Sequence, residues 1–500
     1  MPKPARSICL RLCAVVLLLA GNAWAQSGPA RPIRLNPENP HYFLYRGRTI
    51  VLITSGEHYG AVINTAVDYD RYLATLQADG LNYTRIFAGS YVEVPGKSFG
   101  IQRNDLAPAP GKFLAPWARS STPGYAGGGN KFDLNRWNPA YFRRLRAFLA
   151  DAARRGIVVE ITFFSSQYGE AQWKLSPFNP ANNVNGLHLS DWKKINTLEN
   201  NGIVRYQEAY VRRIVREVNP FGNVIFEIQN EPWSDRPAPA GVINPYLFPP
   251  ARDNFPNNVQ TADALSLAWQ AAVAQWITSE ESALPEHHLI AQCYSNFGFP
   301  VRKLVPGVSV VNFHYAYPEA VTWNYGLNKP IAYDETGFLG RGNAAYRRQA
   351  WNFMLSGGST FDGLDYSFSP AHPGGNDMAP NGPGGGSPAL RSQLHILREF
   401  LQSLPLVHMQ LDRGTVVHAS GVVPRVLSWP GHTYAMYLDG KGPSAVTLKL
   451  PRGHYSGRWM NVVTGSAVAK ARLSSTGAPI TIESPKFTDG IALHLERAQP

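Results

Sequence analysis

Between residues 49 and 406 the hydrophobic pattern alternates between short apolar runs of strand length and longer stretches with an apolar residue every three or four positions. The strand-like runs are 50–54, 82–88, 157–164, 223–230, 288–294, 309–315, 330–335 and 360–366. Helical patterns separate several of them. One is capped by Asn138, has Pro139 in its first turn, presents Leu145, Phe148, Leu149 and Ala152 on one side, and stops at Gly156. A second aligns Val211, Ile214, Val215 and Val218 and ends at Asn219-Pro220; a third aligns Leu390, Leu394, Leu397 and Leu401. Eight strands alternating with helices predict an α/β chain folded as a (β/α)8 TIM barrel. A hairpin of 41–46 and 48–52 around Gly47 is expected at the end of the barrel away from the long loops.

After residue 406 the helical period disappears. Short alternating stretches at 433–437, 445–450, 456–461 and 491–495, punctuated by Gly and Pro, predict a small all-β sandwich. The expected organisation is therefore a barrel with its hairpin over 26–406 and a β-sandwich over 407–500. The longest loops, 92–136, 165–201, 233–261 and 367–387, all follow strands, which marks the C-terminal mouth of the barrel as the working face. Their glycine runs (Gly127-Gly128-Gly129, Gly374-Gly375, Gly384-Gly385-Gly386) are expected to exclude regular structure. Trp117, Tyr125, Tyr168, Trp173, Trp192 and Trp233 offer flat apolar faces there, a minority of which are expected to stack on a ligand.

Two strand ends carry the chemistry. In FEIQNEPW, residues 226–233, strand alternation turns Glu227, Gln229 and Glu231 to one face, and Pro232 ends the ladder, leaving the Glu231 carboxylate at the mouth. In PIAYDETGF, residues 330–338, Asp334 and Glu335 close a strand before Thr336-Gly337; strict alternation points them to opposite faces, so only one is expected to enter the mouth. Asn230-Glu231-Pro232 followed by Glu335-Thr336-Gly337 resembles clan A of the retaining glycoside hydrolases, in particular cellulase-like family 5. That resemblance implies Glu231 as acid/base on the fourth strand and Glu335 as nucleophile on the seventh.

Glycoside hydrolysis with retention needs a proton donor and a nucleophilic carboxylate about 5 Å apart. The nucleophile must be ionised beside a cation, and the acid is expected to be kept protonated by its neighbour's charge and partial burial. Arg85, in NYTRIFA, suits the cation, and the resemblance places an arginine there. The resemblance also implies Asn230 as a partner of the substrate 2-hydroxyl, His314 as a site residue, and a tyrosine bonded to the nucleophile. Position 316 is alanine, so Tyr315 or Tyr317 must serve. On the eighth strand Tyr366 stands in for the tryptophan common in the family. Glu57 and His58 at the end of the first strand, and Trp233, complete the expected substrate-binding set. Gly457-Arg458-Trp459 through Thr464-Gly465 resembles the terminal β-domains that accompany such barrels, where a buttress is favoured over a sugar-binding module.

Other classes fit less well. A metal-dependent barrel hydrolase needs clustered ligands, yet His58 stands alone and no His-Glu-x-x-His occurs, so no metal or cofactor is expected. The formal charge is +12, but no Lys/Arg block or nucleic-acid motif appears, so no nucleic-acid partner is expected. Polysaccharide or oligosaccharide is the expected substrate. A transglycosylase with the same intermediate, or a non-catalytic sugar-binding barrel, are the alternatives. Lys3, Arg6 and Arg11 flank or precede an apolar run from Leu12 to Ala20, and Ala23-Trp24-Ala25 forms a small-x-small cleavage site. Residues 1–25 therefore read as a signal peptide, with an exported periplasmic or extracellular monomer lacking any integral membrane segment as the expectation. Cys9 and Cys13 would leave with it, so the remaining Cys293 has no partner for a disulfide and a large core must supply the stability.

Overall fold

A computed structural model describes residues 31–56, 59–243, 258–379 and 381–498; the expected signal segment lies outside the described residues. Eight parallel strands form the barrel wall: β1 (Leu52–Ser55), β2 (Tyr83–Phe87), β3 (Val158–Ser165), β4 (Val224–Asn230), β5 (Leu289–Asn296), β6 (Val310–His314), β7 (Ile331–Glu335) and β8 (Thr360–Gly363). Their hydrogen-bonded order runs β1-β8-β7-β6-β5-β4-β3-β2. The remaining seam, between β1 and β2, is joined at Asn82, whose backbone N–H donates to the Ile53 carbonyl at 3.3 Å. Asn82 accepts from the Ile53 N–H at 2.9 Å and donates to the Val51 carbonyl at 2.8 Å, so its amide takes the place of a strand ladder.

The surrounding helices are α1 (Tyr69–Ala78), α2 (Pro139–Arg154), α3 (Val204–Val218), α4 (Ala264–Glu281), α5 (Pro318–Asn324), α6 (Asn343–Met354) and α7 (Pro388–Gln402). Asn138 caps α2 by accepting from the Ala140 N–H, with Pro139 in its first turn, and Leu145, Phe148, Leu149 and Ala152 are buried. Outward-facing strand residues such as Phe163 and Phe226 pack on the helix side, where Tyr210 of α3 meets Phe163. The barrel floor is sealed by a three-stranded sheet of Arg34–Leu35, Phe43–Tyr45 and Arg48–Ile50, whose Ile33, Phe43 and Tyr45 share a buried cluster with the strand starts Leu52, Tyr83, Val158, Ile225, Leu289, Val310 and Ala332.

Two long mouth loops carry regular structure where the glycine runs led us to expect none. Trp117–Pro123 pairs with Asn130–Trp137, and Pro237–Ile243 pairs with Asn258–Ala262. Gly128 and Gly129 have positive φ and form the turn of the first hairpin, so glycine here permits a tight turn rather than forbidding strands.

The C-terminal region forms two antiparallel sheets, six- and three-stranded, around a core containing Val426, Tyr434, Leu438, Leu448, Trp459 and Leu493. It packs on α6 and α7: Tyr437 stacks on Trp351 at 5.4 Å, Trp351 meets Phe400, and Arg348 pairs with Asp439 at 2.7 Å. A barrel followed by a β-sandwich is thus the architecture. No helix among the described residues is long and apolar enough to cross a membrane.

Candidate active site

The ends of β4 and β7 both depart from regular strand geometry, and those departures aim the carboxylates. Glu231 adopts φ +44°, a left-handed conformation that costs a non-glycine residue on the order of 1–3 kcal/mol. Pro232 disfavours the right-handed helical alternative at Glu231. The turn is fixed by Ser234 N–H donating to the Glu231 carbonyl at 3.0 Å and by the Ser166 hydroxyl at 2.6 Å. Strict alternation therefore ends before Glu231: Asn230, which alternation would turn away, reaches Arg85 inside the barrel.

On β7 the register slips by one residue, Phe313 facing Tyr333 while His314 faces Glu335. Asp334 is the extra residue of this bulge. The expectation that Asp334 and Glu335 point to opposite faces is therefore corrected, since both enter the barrel. Asp334 accepts from Asn312 at 2.9 Å and lies 3.5 Å from His314 Nε2 and 3.7 Å from Arg85 Nε, below the mouth and fully buried. Glu335 stands above it at the rim.

Glu335 is gripped at both oxygens. Tyr59 donates to Oε2 at 2.9 Å, Arg85 Nη1 to the same oxygen at 3.1 Å, and Tyr315 to Oε1 at 3.0 Å. Tyr315 thus takes the tyrosine role left open by Ala316, helped by φ +52°, whereas Tyr317 stacks on Phe297. Arg85 is completely buried and shared: Nε and Nη2 bond Glu227 Oε2 at 2.9 and 2.6 Å, and Nη2 bonds Asn230 Oδ1 at 2.8 Å. Asn230 Nδ2 donates to Tyr168 at 2.6 Å and Ser165 at 3.3 Å, so its amide N–H groups already have partners within the protein.

Glu231 accepts from Tyr168 at 2.8 Å on Oε2 and lies 3.0 Å from His314 Nδ1 on Oε1. Oxygen atoms of Glu231 and Glu335, together with His314, lie within 4.8 Å of one another. Burial would raise the Glu231 pKa, but the His314 hydrogen bond and charge, with Tyr168, hold it below the usual carboxylate range. This corrects the expectation of an acid kept protonated by burial and its neighbour. Burial also opposes a charge on His314, and the surrounding Glu335 and Asp334 carboxylates outweigh it, so the imidazole titrates well above its ordinary range. The proton of the pair accordingly favours His314, beside an ionised Glu231.

Deeper in the barrel, burial pushes Glu160 and Asp362 well above the carboxylate range, so they stay neutral. Glu227, Cys293, His314 and Asp334 bring four ligating atoms within 4.8 Å. Arg85 supplies the cation between Glu227 and Asp334, and burial raises the Cys293 thiol to about 12.

The expected residues Glu231, Glu335, Asn230, Arg85, His314, Tyr315 and Tyr366 converge on this region. Tyr366 lines the recess above the carboxylates. Trp233 does not; it is buried and meets the His314 ring edge-on at 5.7 Å, bracing the imidazole. Of the other mouth aromatics, Tyr168 lines the recess, whereas Trp117 is fully buried against Phe178 and Tyr210. Glu57 and His58 lie outside the described residues. Sequence reasoning missed Tyr59 and Glu93 as site residues, and offered Tyr168 as a flat face without its bond to Glu231. Tyr59 adjoined the expected cluster at the end of β1 and could have been found there; Tyr168 and Glu93 reach the site only through the paths of long loops.

No protein-family model matches the sequence, and no curated protein matches it. Solved structures do match the fold. A family 5 glycoside hydrolase from Bacteroides vulgatus has TM-score 0.59 and 10% identity, with 93% of each chain covered. A structure described as a glycoside hydrolase gives TM-score 0.59 and 11% identity, covering 94% of this chain and 97% of that one. A second Bacteroides vulgatus chain gives TM-score 0.59 and 14% identity over 94% of this chain and 82% of its own length. At these identities the likeness is one of fold.

Proposed function

We propose that this protein is a retaining glycoside hydrolase acting on an oligosaccharide or polysaccharide, with Glu335 as nucleophile and Glu231 as acid/base. The observation that carries this reading is the pair of buried carboxylates with oxygens within 4.8 Å, one held by a cation and two tyrosines, the other paired with a histidine. Retaining enzymes place their carboxyl groups about 5–5.5 Å apart, too close to seat a water between them, whereas inverting enzymes need roughly 6.5–9.5 Å.

The unequal surroundings assign the roles. Glu335 Oε1 attacks the anomeric carbon, the bond to the leaving oxygen breaks, and Glu231 delivers a proton to that oxygen. Its proton comes from a shared store, because Glu231 and His314 titrate as a pair. Before substrate arrives the proton sits on the imidazole; an approaching glycosidic oxygen draws it through the carboxyl. In the second half-reaction Glu231 removes a proton from water, which attacks the anomeric carbon and frees Glu335. Arg85, Tyr59 and Tyr315 hold Glu335 in place and stabilise the carboxylate as it leaves.

Export follows from the order of charged, apolar and small residues over 1–25 and forms part of the proposal. The test of function is incubation with a panel of oligosaccharides while following the freshly released anomer by NMR. Retention is expected; an initially inverted anomer would overturn the mechanism, and failure to cleave any glycoside would overturn the function.

A further inference from the structure

We infer that the glycone side of the site is a closed pocket for one terminal sugar, so that the enzyme removes residues from the non-reducing end instead of cutting within chains. This rests on the two-carboxylate reading and extends it to the mode of attack.

The direction of the substrate follows from the roles. Glu231 protonates the oxygen of the departing sugar, so the leaving portion lies on the β4 side. The glycone lies across the barrel, towards β8, β1 and β2. On that far side, the loops after β2 and β8 are latched together. Gln102 N–H donates to the Asn381 carbonyl at 2.7 Å, and the Arg103 N–H to Asn381 Oδ1 at 2.6 Å. Arg103 Nε adds an ion pair with Asp377 at 2.6 Å, and Asn381 is tied down to the Tyr366 carbonyl at 3.3 Å. A polysaccharide threading past the carboxylates must leave between these loops, and among the described residues they bridge that path.

The space they enclose is small. It is walled by Glu93, Phe99 and Ile101 from one loop, Leu364 and Tyr366 from the other, and Tyr168 opposite. Phe99 reaches across to meet Tyr168 edge-on at 5.0 Å, which continues the wall past β3. Within this largely aromatic and aliphatic wall Glu93 is the one carboxyl besides Glu231 and Glu335. It is buried, accepts hydrogen bonds from Tyr91 at 3.3 Å and from Asn104, and its N–H is anchored to the Leu106 carbonyl at 2.8 Å. A rigidly held carboxyl at the closed end suits recognition of a hydroxyl that only a terminal sugar leaves free.

The test uses the full chain and matched pairs of cello-, xylo-, manno- and galacto-hexaoses, each free or carrying a 4,6-O-ethylidene block (for xylose, a 4-O-methyl block) on its non-reducing end, beside nitrophenyl monosaccharides. The blocked chain is expected to be cleaved at least about a hundredfold more slowly than the free one, a penalty on the scale by which a fitted site rejects a misfit. From the earliest time points the free chain should release one product of fixed size. The double variant Arg103→Ala/Asn381→Ala, which removes the ion pair with Asp377 and the bond from the Arg103 N–H to Asn381 Oδ1, is expected to narrow the blocked-to-free ratio at least about tenfold, with nitrophenyl glycoside turnover little changed. Equal cleavage of blocked and free chains, or a spread of internal fragments from the outset, overturns this inference and leaves the hydrolase reading standing. Absence of turnover on every probe overturns both.

Discussion

Replacing Glu231 by Gln separates proton donation from everything else that residue does. Gln can keep the local bonds: its carbonyl faces His314, and its NH2 faces Tyr168 and Ser234, whose hydroxyls can accept. The structural loss is one charge-assisted hydrogen bond, about 1–3 kcal/mol, which a barrel of this size tolerates without unfolding. The catalytic loss is larger. General acid catalysis contributes roughly 10²–10⁴-fold, or about 2.7–5.4 kcal/mol at 1.36 kcal/mol per tenfold. A sugar leaving group needs the proton and should show this full loss in kcat/KM. A dinitrophenyl leaving group departs as a stable anion and should lose less than about tenfold. Because Glu231 also activates water, the variant should release a burst of dinitrophenol and then stall as the glycosyl-enzyme; azide should restart turnover and yield a glycosyl azide of retained configuration. Equal losses on both leaving groups, with no burst, would refute the assignment of Glu231 as proton donor.

Further outcomes follow from the same geometry. The proton store on the Glu231–His314 pair should place the alkaline limb of kcat/KM above the ordinary imidazole value of 6.5, and His314→Asn should move that limb to lower pH; a limb unmoved by the substitution would show that His314 does not hold the proton. Burial raises the Glu93 pKa from 4.5 to about 7, so below 4.5 it carries no penalty, and as pH rises through this window the folded state loses stability relative to an unfolded chain that ionises earlier, by about 3 kcal/mol at 1.36 kcal/mol per unit. Glu93→Gln should reduce the loss of stability between pH 4.5 and 8 by that amount, read by urea unfolding; an unchanged difference contradicts it. N-terminal sequencing of the exported protein should begin at Gln26, and recovery of an intact Met1 chain in the membrane fraction would contradict export.

The barrel was legible because its strands are buried on both faces and read as continuous apolar runs, and helices such as α2 announce themselves through cap, first-turn proline and stripe. The paired carboxylates Glu231 and Glu335 were legible because they sit at strand ends beside Pro232 and the Thr336-Gly337 turn. What alternation misjudged was the last residue or two of those strands. The bulge at Asp334 depends on how β6 pairs with β7, a property of two segments that neither one encodes alone, and the left-handed turn at Glu231 likewise frees Asn230 to face inward. Trp233 was misjudged for a different reason: an aromatic near the mouth can form a platform or brace the layer beneath, and only packing against His314 distinguishes the two. Tyr59 and Tyr168 reach Glu335 and Glu231 through loop paths that hydrophobic periodicity does not describe.

The central claim is that Glu335 forms a covalent bond to the glycone. Mass spectrometry of peptides from protein treated with an activated 2-deoxy-2-fluoro glycoside, whose deglycosylation is slow, tests it directly. The expected result is a mass increase of one fluorosugar on the peptide containing Glu335, fragment ions placing it on that residue, and none after Glu335→Ala. A label on the neighbouring Asp334, which lies buried beneath the rim, or inactivation without any label, would contradict the claim.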